Sequence, residues 1–282
     1  MSQKVLDYSY ARFTPAQVHN LGAVAVCRYL TVVNPSTSGK LLTRAEAAGM
    51  SAAGIGLVSV FEFDSKDATG GYHQGKEYAG LAHEQHTAAG GPSGRPIYFG
   101  VDFDTPDYAA QLPNTPEHAL AKLGPIGEYF KGCNDVLGSH LTGAYGGYWV
   151  IKRLFEANLI SFGWQTVAWS GGQRYPRAAL YQTGFHGSYD VNFCDASDFG
   201  QWRIGWRPGD VPSDVHPVTP TTQVWHKVQP GDTLSGLASR PGTGRMKCRT
   251  DSRRRHDGIV VSISMLWARW SSCPATSTIL LA

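Results

Sequence analysis

Strand-like runs recur eight times in the first two thirds of this 282-residue chain, at residues 5–10, 23–31, 56–64, 95–104, 141–146, 161–169, 178–183 and 189–194. Helix-forming stretches separate most of them. Thr14-Pro15-Ala16-Gln17 and Thr43-Arg44-Ala45-Glu46 each place a hydroxyl three residues ahead of Gln or Glu, the pattern of a capping box. Residues 71–89 read as a helix, as do the stretch that opens at Thr115-Pro116-Glu117 and runs to about Leu137, and residues 148–157. Residues 170–177 are too few for a full helix, so the last part of the repeat is pared down. Strand–helix alternation sustained eight times favours an α/β fold of the (β/α)8 TIM-barrel type. A doubly wound sheet is the alternative, weakened because no Gly-rich phosphate loop follows the first strand.

The fourth run, Arg95-Pro-Ile-Tyr-Phe-Gly-Val-Asp-Phe-Asp104, says most about the site. At a period of two, Ile97, Phe99, Val101 and Phe103 fall on one side. Tyr98, Gly100, Asp102 and Asp104 fall on the other, so two carboxylates crowd the C-terminal end of the inner face. Barrel enzymes carry their chemistry at that rim. The plainer alternative is an Asp pair that caps the turn at Thr105-Pro106-Asp107. In the third run, Val58, Val60, Glu62 and Asp64 share a face.

Composition narrows the function classes. Much of the basic excess behind the net charge of +3 lies after Arg240, which leaves the body no case for nucleic-acid binding. No apolar run of 18 residues is present to span a membrane. The N-terminus lacks the apolar core of a signal peptide, so the expectation is a protein cytoplasmic at synthesis or one that leaves the cell by another route. Five cysteines at wide, irregular spacing, without C-x-x-C, argue against a disulfide framework and against zinc; Cys27 and Cys194 read as buried thiols. His83-Glu-Gln-His86 spaces its histidines three apart rather than four and reads as a solvated helix face. No cofactor or metal is expected, and a monomer is.

Residues 207–223, rich in Pro, Thr, Ser and Asp, read as a stiff linker after a barrel domain at 1–206. Beyond it, residues 224–240 read as a short strand, a Pro-Gly-Asp turn and a helix capped by Asp232 or Thr233. From 241 to 282 the sequence is basic and then apolar without period, an atypical tail with the character of a frame change.

Several of these residues carry a resemblance. Asp7-Tyr-Ser-Tyr10, Arg28-Tyr29, Leu42-Thr-Arg-Ala-Glu46, Pro96 to Asp104, Ala144-Tyr-Gly-Gly147, Trp164-Gln165, Ala168-Trp-Ser-Gly-Gly172 and Asp198-Phe-Gly-Gln-Trp202 together resemble the glycoside-hydrolase-like barrel domain of actinobacterial and phage proteins, a relative of the muramidase barrels. Val228-Gln-Pro-Gly-Asp-Thr-Leu-Ser-Gly-Leu-Ala238 is similar to the first half of a LysM repeat, a module that binds N-acetylglucosamine-containing glycans, and the expected second half is missing.

The resemblance implies peptidoglycan or a related polysaccharide as target. It matches Asp7 to a first-strand Asp, Asp102-Phe-Asp104 to an Asp-x-Glu with Asp in place of the proton-donating Glu, and Asp190 to a late Asp. Carboxylates at i and i+2 on a strand lie about 6–7 Å apart, and their repulsion holds a proton on one of them. Asp104 is then the general acid, Asp102 its electrostatic partner and Glu62 the rival acid. Asp7 and Asp190 orient the sugar or stabilise positive charge. Arg28 is expected to point inward, to contact substrate or to neutralise the acids. Tyr145, Trp164, Trp169 and Gln182 are candidates for sugar contact. Two functions follow: a muramidase-like cell-wall glycan hydrolase, with a phage lysin as one setting, or a wall-binding barrel that no longer cleaves.

Overall fold

The computed structural model describes residues 2–206, 224–227, 246–250 and 277–281. Eight strands close into a barrel in chain order: β1 (Gln3–Asp7), β2 (Ala25–Leu30), β3 (Gly56–Phe61), β4 (Ile97–Gly100), β5 (Thr142–Gly146), β6 (Phe162–Thr166), β7 (Leu180–Phe185) and β8 (Asp190–Cys194). Helices α1 (Pro15–Asn20), α2 (Arg44–Ala52), α3 (Gly71–Ala89), α4 (Ala119–Leu123), α5 (Pro125–Leu137) and α6 (Tyr148–Glu156) lie between the first six strands. The TIM-type α/β barrel read from the sequence is the fold.

One strand departs from the expected all-parallel order. β1 to β7 run parallel to their neighbours, whereas β8 is antiparallel to both β7 and β1. A parallel return needs a long crossover, and a short loop allows only a hairpin. Residues 186–189 make that loop, with the His186 amide donating to the Tyr189 carbonyl at 2.8 Å and Gly187 at a φ of 75°. The reversal matters for the site, because the start of β8 now shares a rim with the ends of β1 to β7.

The alternation in β4 is realised. Ile97, Phe99 and Val101 belong to the layer between barrel and helices, where the Phe99 ring meets Tyr129 and Phe130 of α5 at 6.1 and 6.4 Å. Tyr98 belongs to the barrel interior with Val5, Cys27, Val58, Val60 and Trp164. Eight strands leave just enough room for side chains to fill the lumen. The capping box at Thr14 and Gln17 is present, and Thr43 caps α2. The long helix expected from Thr115 is instead a 3-10 turn at Pro116–His118 followed by α4 and α5. Gly124, at a φ of 53°, interrupts it ahead of Pro125, whose ring disfavours helical backbone in the residue before it.

The segment after β8 seals the bottom of the barrel. Phe199 packs into the interior, and its carbonyl accepts from the Tyr98 hydroxyl at 2.8 Å. Trp202 exchanges backbone hydrogen bonds with Leu57 at 2.7 and 2.8 Å, and Asp198 forms a two-pronged ion pair with the buried Arg95. A closed bottom leaves the opposite rim for ligands. Separately, β9 (Val224–Lys227), β10 (Met246–Thr250) and β11 (Ser277–Leu281) form an antiparallel sheet in the order β10-β11-β9. The strand expected at the start of the LysM-like segment is β9; its turn and helix, and the linker at 207–223, lie outside the described residues. Parts of the stretch read as an atypical tail supply β10 and β11.

Candidate active site

At the rim opposite the plug, a cavity of about 260 Å3 is ringed by carboxylates from four strands. Asp7 ends β1, Glu62 follows β3, Asp102 follows β4 and Asp190 opens β8. Because β8 is reversed, Asp7 and Asp190 face each other directly across an antiparallel pair. Burial is the main force on each acid. It pushes Asp7 well above the usual carboxylate range, with Asp190 and then Glu62 adding like-charge repulsion. Asp190 is raised by burial and then by Asp102, Glu62 by burial against the opposing pull of Lys40, and Asp102 by burial against a hydrogen bond from Tyr145.

A polar network holds the cluster. The Tyr145 hydroxyl donates to Gln182 Oε1 at 2.8 Å, and Gln182 Nε2 donates to Asp7 Oδ2 at 3.1 Å. The other Asp7 oxygen, Oδ1, is buried with no hydrogen-bond partner. Lys40 Nζ reaches Glu62 Oε1 at 3.1 Å and lies 4.9 Å from the centre of the Tyr29 ring. Glu62 has room because its neighbour on β4 is Gly100: a Cβ there would come within 3.0 Å of Glu62 Oε2. Among the described residues no three His, Cys, Asp or Glu side chains converge to hold a metal ion.

Trp169 borders the cavity with 37% of its surface exposed and a left-handed φ of 54°. A non-glycine residue keeps such a backbone only where its surroundings over-determine it. Here the following residue does so: Ser170 Oγ donates to the Thr166 carbonyl and accepts from the Tyr148 amide at 3.0 Å and from Gln165 Nε2 at 3.0 Å. Trp164 is 1% exposed and forms the floor, its Nε1 donating to Asn192 Oδ1 at 2.7 Å.

Of the residues expected in the site, Asp7, Glu62, Asp102, Asp190, Tyr145, Trp164, Trp169 and Gln182 line this cavity. Asp104 is exposed and does not. The reason is local: β4 ends at Gly100, the Asp102 amide turns to the Ser65 carbonyl, and strand alternation no longer governs residues beyond it. Arg28 does not point inward. Cys27 and Tyr29 take the interior positions of β2, and Arg28 lies in the outer layer with its Nε 2.6 Å from Glu46 Oε1 on α2 and its Nη1 on the Tyr8 carbonyl. The cation beside the acids is Lys40. Nothing in Ser38-Gly39-Lys40, which reads as solvated loop, announces it. His86 is likewise not solvated: it is buried against Trp202, with Ser59 Oγ at 2.8 Å from Nδ1 and the Pro92 carbonyl at 3.1 Å from Nε2, while His83 is exposed. Cys27, Cys133 and Cys194 are free, buried thiols.

Three comparisons bear on this arrangement. The family described as Rv2525c-like, glycoside hydrolase-like domain matches residues 16–234. A Mycobacterium tuberculosis protein named "Putative peptidoglycan hydrolase Rv2525c" is 30% identical over 212 residues, which cover 70% of this chain and 83% of the relative. Among solved structures, the Tat-secreted Rv2525c of M. tuberculosis in complex with L-tartrate superimposes with a TM-score of 0.63 at 29% identity, over 71% of this chain and 98% of that one. Its complex with HEPES gives a TM-score of 0.62 at 28% identity, with the same coverage. With the family matched over most of the chain and the barrel shared with its solved member, the protein belongs to the Rv2525c-like, glycoside hydrolase-like domain family.

Proposed function

We propose that the barrel hydrolyses glycosidic bonds in a cell-wall glycan of the peptidoglycan type by carboxylate acid–base chemistry. The observation that carries this reading is the convergence of Asp7, Glu62, Asp102 and Asp190 on one cavity, each with its affinity for a proton raised. Glycoside hydrolysis needs a carboxyl that still holds its proton beside the leaving oxygen and an ionised carboxylate nearby. Asp102 is the proton donor in this reading, since burial favours its neutral form and no cation touches it. It passes the proton to the glycosidic oxygen as the C–O bond breaks, and water completes the reaction at the anomeric carbon. Glu62, paired with Lys40, faces the positive charge that develops there. Asp7 and Asp190 hold the sugar. The name of the mycobacterial relative supports the choice of polymer, and its description as Tat-secreted supports action at the wall.

A second reading, a wall-binding barrel without cleavage, is favoured by one observation: Asp104, which aligns with the proton donor of related muramidases, stands outside the cavity. The deciding experiment follows reducing-end release and turbidity loss on purified mycobacterial walls with the full chain, Asp102→Asn and Asp104→Asn. Release by the parent and by Asp104→Asn, with a loss of at least a hundredfold in Asp102→Asn, supports hydrolysis as described. Release lost in Asp104→Asn alone moves the acid back to Asp104. No release by the parent, which nevertheless sediments with walls, selects the binding barrel.

A further inference from the structure

A second, larger chamber adjoins the acid cavity. Its volume is about 420 Å3, within the range of ordinary small-molecule sites. The stretch after β1 supplies Tyr10 on one side, and the β7–β8 hairpin supplies Phe185, Ser188 and Tyr189 on the other. Asp7, Tyr29 and Asp190 line both spaces, so the two are neighbours at the same rim.

We infer that this chamber is a separate sugar subsite, taking an uncharged pyranose of the same glycan whose reacting bond lies in the acid cavity. The inference rests on the hydrolase reading for its polymer and adds where the chain extends and which units it admits.

Three features support it. The first is the aromatic lining. Tyr10 and Phe185 are 56% and 67% exposed and border the same chamber, so they form an apolar surface that a ligand there can cover. The carbon-bound hydrogens on a pyranose face suit such flat apolar surfaces. Two of the chamber's rings, Tyr10 and Tyr189, are also held before any ligand arrives. The Tyr10 hydroxyl donates to the Ser36 carbonyl at 3.1 Å, and Tyr189 stacks on His186 at 5.5 Å with its edge contact to Phe13 at 5.6 Å. Rings already in place cost little entropy on binding.

The second feature is Asp7 Oδ1. It sits at the junction on a residue 2% exposed with no donor at hydrogen-bond distance, although the Tyr29 hydroxyl interacts favourably with the same carboxylate. Buried oxygens are almost always paired, and a sugar hydroxyl or amide N–H bridging the two spaces would pair this one. The third is charge. Among the described residues the chamber's ionisable lining is Asp7, Asp190 and tyrosines, with no Lys or Arg. A carboxylate-bearing sugar would face like charge there, whereas an N-acetylhexosamine would not.

The test separates this subsite from the hydrolase reading. Calorimetric titration uses the full chain carrying Asp102→Asn, so that oligomers are not consumed, with N-acetylglucosamine oligomers of increasing length. Affinity is expected to rise about tenfold once the oligomer is long enough to enter the chamber, an increment ordinary for added aromatic contact. Adding Tyr10→Ala and Phe185→Ala should remove that increment and leave the shortest binding oligomer unchanged. A hyaluronan oligosaccharide of matching length, with a carboxylate on alternate sugars, should bind at least tenfold more weakly. Both ring positions are exposed, and an unchanged melting temperature verifies that the variants fold. Length dependence that survives loss of both rings overturns the subsite while leaving the hydrolase reading intact. Absence of binding by every oligomer also overturns it, and wall release by the parent then judges the hydrolase reading independently.

Discussion

Lys40 Nζ stands 3.1 Å from Glu62 Oε1, with the two side chains 7% and 16% exposed. This pair gives the acid cavity its one direct cation contact among the described residues. It also divides the labour among four acids that burial treats alike. Lys40 opposes the effect of burial on Glu62 through direct contact, and on Asp102 only as the lesser influence after Tyr145.

Replacing Lys40 with Met should therefore raise the proton affinity of Glu62 further, since its largest opposing influence is gone. The acidic limb of the pH–rate profile for glycan release is expected to move to higher pH, with Lys40→Arg restoring most of the shift. A purely structural lysine would change the amount of folded protein and leave the profile in place.

Gly100→Ala tests the space given to Glu62. The added methyl meets Glu62 Oε2 at 3.0 Å and Cγ at 3.2 Å, so the carboxylate must turn away from Lys40. Activity should fall by about tenfold to a hundredfold, as expected for a misplaced catalytic group. Because Gly100 lies in ordinary strand backbone, the melting temperature should change little.

Asp190→Asn should stabilise the protein at neutral pH. Asp190 has its folded pKa raised, so its favourable contribution is present below the ordinary Asp range and is lost as pH rises through the folded value. Asp7 and Asp190 face each other across β1 and β8, and repulsion from Asp190 adds to burial in holding the Asp7 proton. Partial exposure screens the effect, and a rise of about 2 °C in melting temperature is expected. Below about pH 4 the variant and parent should melt together, because both side chains are then neutral.

His86 sets the opposite dependence. Burial lowers its pKa from 6.5 to about 4, so it is neutral in the fold. Its contribution is present above pH 6.5 and is lost as pH falls toward 4, by on the order of 3 kcal/mol in all. Urea midpoints of the parent and His86→Gln, measured at pH 7.5, 5.5 and 4.5, should draw together as pH falls.

Arg28→Met should unfold the protein more readily without touching the chemistry. The guanidinium is fully buried, and its loss strands Glu46 and the Tyr8 carbonyl. Breaking such a pair costs about 3–5 kcal/mol. Activity per folded molecule is expected to remain within twofold of the parent, measured with folded fraction from circular dichroism. A selective loss of activity at full folding would return Arg28 to the site.

Much of the site is legible in the amino-acid order because the barrel's inner and outer faces differ in chemistry. The run from Ile97 to Asp102 alternates apolar outward and polar inward, so Asp102 is placed by pattern alone, and Val58-x-Val60-x-Glu62 does the same one strand away. In β2 both faces are buried, and Ala25-Val-Cys-Arg-Tyr-Leu30 offers no contrast from which to read parity. Alternation there puts Arg28 on the inner face, and its pairing with Glu46 of α2 places it on the outer one instead. Asp104 shows the complementary limit: four residues beyond the end of β4, periodicity carries no information about direction.

The sequence by itself determined the eight strands, the burial of Ile97, Phe99 and Val101 beneath helices, and the carboxylates available for one rim, because period and polarity are local properties of the chain. The tertiary structure decided which of those carboxylates meet. Reversal of β8 by a four-residue loop sets Asp190 opposite Asp7, and a turn after β2 brings Lys40 to Glu62. The first depends on closure of the barrel, which brings residues more than a hundred positions apart to one cavity, and the second on the pairing of neighbouring strands across 22 positions; the energy of neither contact resides in one partner's local sequence.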